Sequence, residues 1–226
     1  MNINKASVIL FDVNETLLDM TPLKKKINRL LGSSKGFRIW FGMLLQYSLV
    51  ENCTNQYHDF STIADATLNM AATALKKTID EKGKKAALAT MKELTAYPDV
   101  EKGLKLLKQN GFRLATLTNS TESVLQVQLA NAKLTGYFEK MLSVDSIKKY
   151  KPALETYAWA AEQLLVNAAD IIMVAAHGWD IAGACQAGLQ TAFIERKGQS
   201  QYPLSAKADF ISKDILEAAT AITSIK

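Results

Sequence analysis

The chain has 226 residues and a formal net charge of +5, with 48% hydrophobic and 22% charged residues. This ordinary globular composition supplies enough apolar side chains for a sizeable core and excludes an intrinsically disordered chain. The N-terminal segment has no long apolar stretch of the signal-peptide kind, and no run approaches the roughly 18 apolar residues of a membrane-spanning helix. We therefore expect a cytoplasmic protein without a membrane partner.

The basic charge is dispersed along the chain, with local lysine clusters only at Lys24–Lys26 and Lys148–Lys151. This distribution is not typical of a nucleic-acid-binding surface, so we expect no nucleic-acid partner. It can instead steer a small anionic substrate towards a cleft. Cys53 and Cys185 are far apart and lack CxxC spacing, which predicts packed, reduced thiols rather than a disulfide framework or a zinc site.

The first predicted element is a short buried strand over Ser7–Val13, which ends at the polar sequence Asn14-Glu15-Thr16. From Pro22 to about Tyr97 there is no strand alternation. Apolar residues recur there at helical spacing, for example over Phe37–Val50 and Ile63–Leu75. The pattern predicts several helices inserted after the first strand.

After Pro98, helices and strands alternate along the chain. The predicted helices are Val100–Gln109, Ser123–Leu134, Leu154–Leu165, Ile181–Ala187 and a final helix, and the predicted strands are Arg113–Thr118, Met141–Val144, Ile171–Ala175, Thr191–Ile194 and Asp209–Ile211. Such alternation is typical of an α/β fold with a Rossmann-like, doubly wound parallel sheet. We predict this core over residues 1–19 and 98–226, with an all-helical domain inserted over residues 20–97.

Polar residues follow the predicted strands at their carboxyl ends, which a doubly wound sheet brings to one edge. They are Asp12, Asn14 and Thr16, then Thr118 and Asn119, then Lys151, and finally His177 and Asp180. Together they supply a carboxylate nucleophile, hydroxyl and amide donors, a cation that keeps the nucleophile ionised, and a second carboxylate able to activate water.

The order of these residues resembles the haloacid dehalogenase superfamily. The matching blocks are FDVNETLLD at residues 11–19, LTNS at 117–120, YKP at 150–152 and GWDIAGA at 178–184. The long helical insertion is similar to the cap domain of that superfamily, which closes over the active site. Within the superfamily the chain most resembles the type II, L-2-haloacid dehalogenases, through Ser143-Val144-Asp145, Tyr150-Lys151-Pro152, Tyr157 and the segment Trp179–Ala184.

The resemblance implies that Asp12 displaces halide from a small 2-haloalkanoic acid and forms an aspartyl ester, which water activated near Asp180 then hydrolyses. Thr16 would orient Asp12, and Lys151 would balance its charge without a metal or another cofactor. The implied substrate-binding residues are Asn14, Arg38, Trp40, Phe41, Leu45, Phe60, Thr118, Asn119, Tyr157 and His177. Of these, Trp40, Leu45 and Phe60 are equally candidates for the core. A homodimer formed through the cap also agrees with the resemblance.

Three departures from the type II pattern concern the substrate. Phe41 stands where the dehalogenases have a cap arginine, and Arg38 lies about one helical turn earlier as its possible replacement. Ala175 and His177 replace a usual Ser and Asn, so His177 is a base, a donor to substrate or a packed side chain. Glu15 replaces a usual Gly, and we expect its carboxylate to point away from Asp12 because adjacent carboxylates raise one of their pKa values.

Two alternatives stay open from the sequence. The phosphatases of the superfamily carry an acidic Asp two residues after the nucleophile, where this chain has Asn14, and a further Mg²⁺-binding Asp where it has Ala176. An amide cannot protonate a leaving group, whereas halide leaves without a proton. The alternatives are therefore a phosphatase with weakly bound Mg²⁺ acting on a small phosphate ester, and a non-catalytic binding protein that kept the fold.

Overall fold

The computed structural model describes residues 6–225, and its centre is a six-stranded parallel sheet. The strands are β1 (Val8–Phe11), β2 (Arg113–Thr118), β3 (Lys140–Ser143), β4 (Ile171–Ala175), β5 (Gln190–Ile194) and β6 (Phe210–Ser212). Their order across the sheet is β3-β2-β1-β4-β5-β6, and every neighbouring pair is parallel. All four residues of β1 are buried, as expected for a central strand covered on both faces. The predicted doubly wound α/β sheet is confirmed.

The helices of the α/β core are α5 (Val100–Gln109), α6 (Glu122–Asn131), α7 (Leu154–Leu164), α8 (Gly178–Gln186) and α9 (Ile215–Thr223), the last of which follows β6. The predicted core elements lie within three residues of these bounds. Helix α8 begins earlier than predicted because the backbone N–H groups of Asp180 and Ile181 both donate to the carbonyl of His177. Asp180 therefore lies in the first turn of a helix, where the helix dipole favours a negative charge.

Between β1 and α5, the chain forms α1 (Thr21–Leu30), α2 (Gly36–Thr54), α3 (Phe60–Ala74) and α4 (Glu81–Ala89), followed by a short 3-10 turn at Thr90–Lys92. We call Thr21–Lys92 the helical insertion. The two connections to the core run side by side, since Asp19 N donates to Thr95 O and Tyr97 N donates to Leu17 O. A division into two domains near residues 19 and 98 stays a prediction.

The helical insertion is bonded to the loop that follows β3. The Asn52 side chain donates to the carbonyl of Tyr150 at 2.8 Å and accepts from the N–H of Tyr150 at 2.9 Å. In addition, the Tyr57 hydroxyl donates to Asp145 at 2.6 Å, and the ring of Tyr57 stacks on that of Tyr150. The insertion thus restrains the backbone that carries Lys151.

Two further expectations from the sequence concern membrane-spanning helices and the burial of the cysteines. In residues 6–225 no helix combines the length and the apolar character needed to cross a bilayer. Cys53 is exposed on α2, so the prediction of a packed thiol is wrong at this position, while Cys185 is partly buried. Helical periodicity alone did not indicate which face of α2 points to solvent.

Close packing at Gly183 generates the first prediction. A Cβ at this position would lie 2.5 Å from Cβ of Pro152 and 2.8 Å from the hydroxyl of Tyr157. We expect Gly183→Ala to lower the free energy of unfolding by about 2 kcal/mol through overpacking. Gly42→Ala is the matched control, because a methyl group added at this position of α2 would meet nothing within 4 Å, and alanine should gain about 0.8 kcal/mol in a helix. Urea denaturation distinguishes the two, and equal stabilities would contradict the packing argument.

Candidate active site

Asp12 is the first residue after β1, at the carboxyl edge of the sheet, and its side chain is buried. Its two carboxylate oxygens have different partners. Oδ1 accepts a hydrogen bond from Lys151 Nζ at 2.9 Å. Oδ2 accepts one from Thr16 Oγ1 at 2.8 Å and lies 3.3 Å from Nδ1 of His177. Thr16 is held in turn by the N–H of Ala176, which donates to its hydroxyl oxygen at 2.9 Å.

Lys151 joins two buried carboxylates. Its ammonium lies 2.9 Å from Oδ1 of Asp12 and 2.5 Å from Oδ2 of Asp180, and the side chain is inaccessible to solvent. The other oxygen of Asp180 accepts a 2.6 Å hydrogen bond from the Tyr157 hydroxyl. The structure thus brings together four residues that the sequence placed at separate positions along the chain.

The pKa values of these groups follow from burial and charge. Burial alone would raise the pKa of Asp12, but the Lys151 charge and the interactions with His177 outweigh it, so the pKa lies well below its usual range. Burial raises the pKa of Asp180 more than Lys151 lowers it. Burial disfavours the charged Lys151, yet the two carboxylates raise its pKa above the ordinary value. Asp12 is therefore the carboxylate that is most strongly held ionised.

His177 bridges Asp12 and Glu15. Its Nε2 lies 3.0 Å from a Glu15 oxygen, which also accepts a 3.0 Å hydrogen bond from the side chain of Gln199. The imidazole separates the two carboxylates, which explains how Glu15 is accommodated close to Asp12. Burial alone would lower the pKa of His177, but its hydrogen bonds with Asp12 and Glu15 outweigh this effect and raise the pKa from 6.5 to about 9. Both ring nitrogens face carboxylate oxygens, an arrangement that favours the protonated imidazolium at neutral pH.

The aromatic rings of Trp179 and Phe41 enclose His177. Trp179 stacks on the imidazole with ring centroids 5.2 Å apart, and the Phe41 centroid lies 6.2 Å away. Phe41 comes from α2, so it brings the helical insertion to the edge of the cluster. The structure therefore packs His177 between Trp179 and the phenyl ring of Phe41 from the helical insertion.

The predicted donors after β1 and β2 are engaged within the protein. Asn119 accepts from the N–H of Lys151 at 2.9 Å and donates to its carbonyl at 3.4 Å, so it positions the lysine backbone. The Thr118 hydroxyl accepts from the N–H of Ser120 at 3.2 Å. Asn14 donates to Ser120 at 3.1 Å and accepts from Gln128 at 3.0 Å. Contacts of Asn14, Thr118 and Asn119 with substrate stay predictions.

Four predicted substrate-binding residues of the insertion differ in their exposure to solvent. Trp40 is fully buried and donates to the carbonyl of Ala64, so it belongs to the core of the insertion, while Leu45 is half-buried. Phe60 is buried against the ring of Tyr150. Arg38 is exposed and is not a partner of Asp12. A role for Arg38 in place of the cap arginine stays a prediction.

Sequence reasoning missed Arg196, which supports the catalytic turn. Its guanidinium donates to both carboxylate oxygens of Asp99, at 2.9 and 2.8 Å, and to the carbonyl of Thr16 at 3.0 Å. It also lies over the ring of Tyr97, 3.9 Å from the centroid. Arg196 follows β5 by two residues, so the strand-end rule that identified His177 could have identified it.

The cation between the two buried carboxylates is an ammonium group. Among the described residues no group of three or more His, Cys, Asp and Glu side chains is arranged to hold a metal ion. Lys151 contacts Asp12 and Asp180 directly. The negative charge of Asp12 and Asp180 is therefore balanced by a side chain, the ammonium group of Lys151.

Comparison with known proteins agrees with this site. The sequence pattern described as haloacid dehalogenase-like hydrolase matches residues 9–194. The chain belongs to the haloacid dehalogenase-like hydrolases. It is 34% identical over 191 residues to (S)-2-haloacid dehalogenase 4A of Burkholderia cepacia, covering 83% of this chain and 82% of that protein. It is also 32% identical over 193 residues to (S)-2-haloacid dehalogenase 1 of Pseudomonas sp. strain CBS-3, covering 84% and 85%.

The fold is also similar to that of a solved dehalogenase structure. The structure of L-2-haloacid dehalogenase from Xanthobacter autotrophicus superposes with a TM-score of 0.89 at 23% identity, covering 98% of this chain and 100% of that one. The resemblance predicted from the four sequence blocks is confirmed. This member of the family carries Glu15, Phe41 and His177 in its site region.

The raised pKa of His177 generates the second prediction. A group whose pKa rises from 6.5 to about 9 on folding contributes stability that is complete below pH 6.5 and is lost as the pH rises through 9. We therefore expect the excess stability of the wild type over His177→Asn to shrink by on the order of 3 kcal/mol between pH 6 and pH 10. Denaturant titrations of both proteins across this range measure the difference. A constant difference would mean that His177 is neutral when buried.

Proposed function

We propose that this protein is a hydrolase that cleaves the carbon–halogen bond of a small 2-haloalkanoic acid through a covalent ester on Asp12. The observation that carries the proposal is the buried carboxylate of Asp12, 2.9 Å from the ammonium of Lys151, whose charge lowers the pKa of Asp12. Halide departs without a proton, so a cation and an oriented carboxylate suffice for the first step. The relatives named as (S)-2-haloacid dehalogenases support this reaction.

The hydrogen bonds of Asp12 favour Oδ1 as the attacking atom. Oδ1 accepts one hydrogen bond, from Lys151, whereas Oδ2 has both Thr16 and His177 as partners. A lone pair of Oδ1 therefore attacks the 2-carbon, the carbon–halogen bond breaks, and halide leaves with the electron pair. Thr16 and Lys151 hold the carboxylate in one orientation, which lowers the entropic cost of the attack.

Asp180 is the base for the second step. Burial raises its pKa, and its oxygens are held by Lys151 and Tyr157. A carboxylate with a raised pKa accepts a proton from water more readily than an ordinary one. Water adds to Cγ of Asp12, Asp180 takes its proton, and the bond between Cγ and Oδ1 breaks. The 2-hydroxy acid leaves, and Asp12 keeps an oxygen from water.

The alternative functions have less support. Asn14 occupies the position where a phosphatase needs an acid, and both ends of its amide are bonded, to Ser120 and Gln128. The ammonium of Lys151 balances the charge of the Asp12 carboxylate, so this balance does not require Mg²⁺. Burying Lys151 between two carboxylates costs desolvation free energy. The proposed hydrolysis uses all three groups, whereas binding alone would not require them.

The third prediction tests this function directly. With EDTA present, the wild type should release halide from 2-chloropropionate and chloroacetate, and Asp12→Asn should lower the rate more than about 10³-fold. Asp170→Asn, which changes a carboxylate outside the site, is the control and should retain activity. Ion chromatography measures halide, beside hydrolysis of p-nitrophenyl phosphate with Mg²⁺.

Each outcome of this assay identifies one function. Phosphate release that depends on Mg²⁺, without halide release, would favour the phosphatase. Neither activity, combined with thermal stabilisation by 2-haloacids or phosphate esters, would favour a binding protein. Halide release by Asp12→Asn at the wild-type rate would contradict the role of Asp12.

We also propose that the protein acts in the cytoplasm as a homodimer formed through the helical insertion. Leu49 and Val50 are adjacent on α2 and are 42% and 39% exposed. Contiguous exposed apolar patches mark association surfaces, and we propose that these two side chains belong to one. The free thiol of Cys53 on the same helix is compatible with a reducing compartment.

The fourth prediction concerns this association. Light scattering should give about twice the chain mass of 24.8 kDa, and Leu49→Lys combined with Val50→Lys should give the monomer mass. Val127→Lys is the matched control, because Val127 is 40% exposed on α6 of the core. A monomeric wild type would overturn the homodimer proposal.

A further inference from the structure

Two donors converge on a single oxygen of Asp12. Thr16 Oγ1 lies 2.8 Å from Oδ2 and His177 Nδ1 lies 3.3 Å from the same atom, whereas Lys151 bonds Oδ1. This division has a chemical meaning if Asp12 forms an ester. Once Oδ1 is bonded to the substrate carbon, Oδ2 is the carbonyl oxygen of that ester. The two donors then face the atom that becomes negative when water attacks.

We propose that His177, as an imidazolium held by Glu15, is a catalytic residue that forms with Thr16 the oxyanion hole for hydrolysis of the Asp12 ester. The inference rests on the proposed function and deepens it, because it assigns His177 to the second chemical step and not to substrate binding. Donors that are already oriented towards developing charge stabilise a tetrahedral intermediate more than they stabilise the starting ester.

The electrons and protons of this step balance without any further reactant. Water oxygen bonds to Cγ of Asp12, the π pair of the carbonyl moves onto Oδ2, and Asp180 accepts the water proton. When the intermediate collapses, the pair returns, the bond between Cγ and Oδ1 breaks, and the departing alkoxide takes a proton from Asp180. The second proton of the water stays on the Asp12 carboxyl and is then released to solvent, which restores the carboxylate. His177 keeps its own protons throughout and contributes through its charge and its hydrogen bond.

The surroundings of His177 favour a donor at both ring nitrogens. Nε2 faces Glu15 at 3.0 Å, and Nδ1 faces Asp12. The other charged groups of the cluster are Lys151 and Asp180, which form an ion pair at 2.5 Å, and the remaining walls are the rings of Phe41 and Trp179. Two carboxylates thus act on one buried imidazole, and its pKa rises to about 9.

Glu15 is the positioning residue for this imidazolium. It adopts a left-handed backbone conformation with φ of 61°, which glycine would adopt without strain. Its carboxylate is nevertheless oriented on both sides, by His177 and by the amide of Gln199. The Glu15 side chain therefore makes specific interactions at a position whose backbone conformation favours glycine.

The variant His177→Asn separates the two chemical steps. Asparagine retains a short polar side chain but removes the positive charge. Mixed rapidly with 2-chloropropionate, the variant should release one halide per site at about the wild-type rate and then turn over about 100-fold more slowly. Intact-protein mass spectrometry should show the ester accumulating on Asp12. His58→Asn, which changes the exposed histidine of the helical insertion, is the matched control and should behave as wild type.

Glu15→Gln supplies an independent readout that a merely structural role would not move. In the wild type, ester hydrolysis should slow as the pH rises through the pKa of His177 in the ester, which the Glu15 carboxylate still raises although the esterified Asp12 no longer does. Removing the Glu15 charge should shift this alkaline limb of the pH–rate profile to lower pH, while the initial burst of halide release stays unchanged. The measurement also decides the question if His177→Asn does not fold.

The outcomes are distinguishable from failure of the proposed function. No halide release from the wild type would overturn the proposed function and this inference together. Halide release with an unaltered second step in His177→Asn, or with both steps slowed equally and no accumulated ester, would overturn the inference alone. A pH limb that does not move in Glu15→Gln would likewise overturn it.

Discussion

The site depends on one ammonium group buried between two carboxylates. Lys151 is the cation that makes an ionised Asp12 tolerable in the interior, and it holds Asp180 at the same time. Burying charges costs several kcal/mol per ion unless geometry and hydrogen bonds compensate. The surrounding structure supplies that geometry, since Asn119 holds the Lys151 backbone, Tyr157 bonds Asp180, and Asn52 of the helical insertion bonds the residue before Lys151.

A second buried cation makes this site different from the type II pattern. His177 lies between Asp12 and Glu15, which favours its charged form, and Glu15 is held there although its left-handed backbone costs a non-glycine residue about 1 kcal/mol. The phenyl ring of Phe41 packs beside this pair. Glu15 and His177 therefore act as one unit, and the imidazolium of that unit faces the nucleophile.

Sequence reasoning succeeded where local rules coincide with the topology. Short apolar runs marked the central strands, and parallel strands end at one edge, so Asp12 and Asp180 could be predicted to meet. It was less successful for contacts that a strand-end position alone does not specify. Arg196 follows a strand, but its contact with Thr16 across 180 residues was not predicted. Spacing describes one element, whereas these outcomes depend on how elements pack.

The sequence by itself determined the parallel sheet, its family and the residue types available for a nucleophile, a cation and a base. Only the tertiary structure decided that Lys151 joins Asp12 to Asp180, that His177 and Thr16 share one oxygen of Asp12, and that Asn14 bonds Ser120 and Gln128. The physical reason is that hydrogen bonds and charge pairing act over about 3 Å, and such distances are set by side chains from different elements after the core has packed.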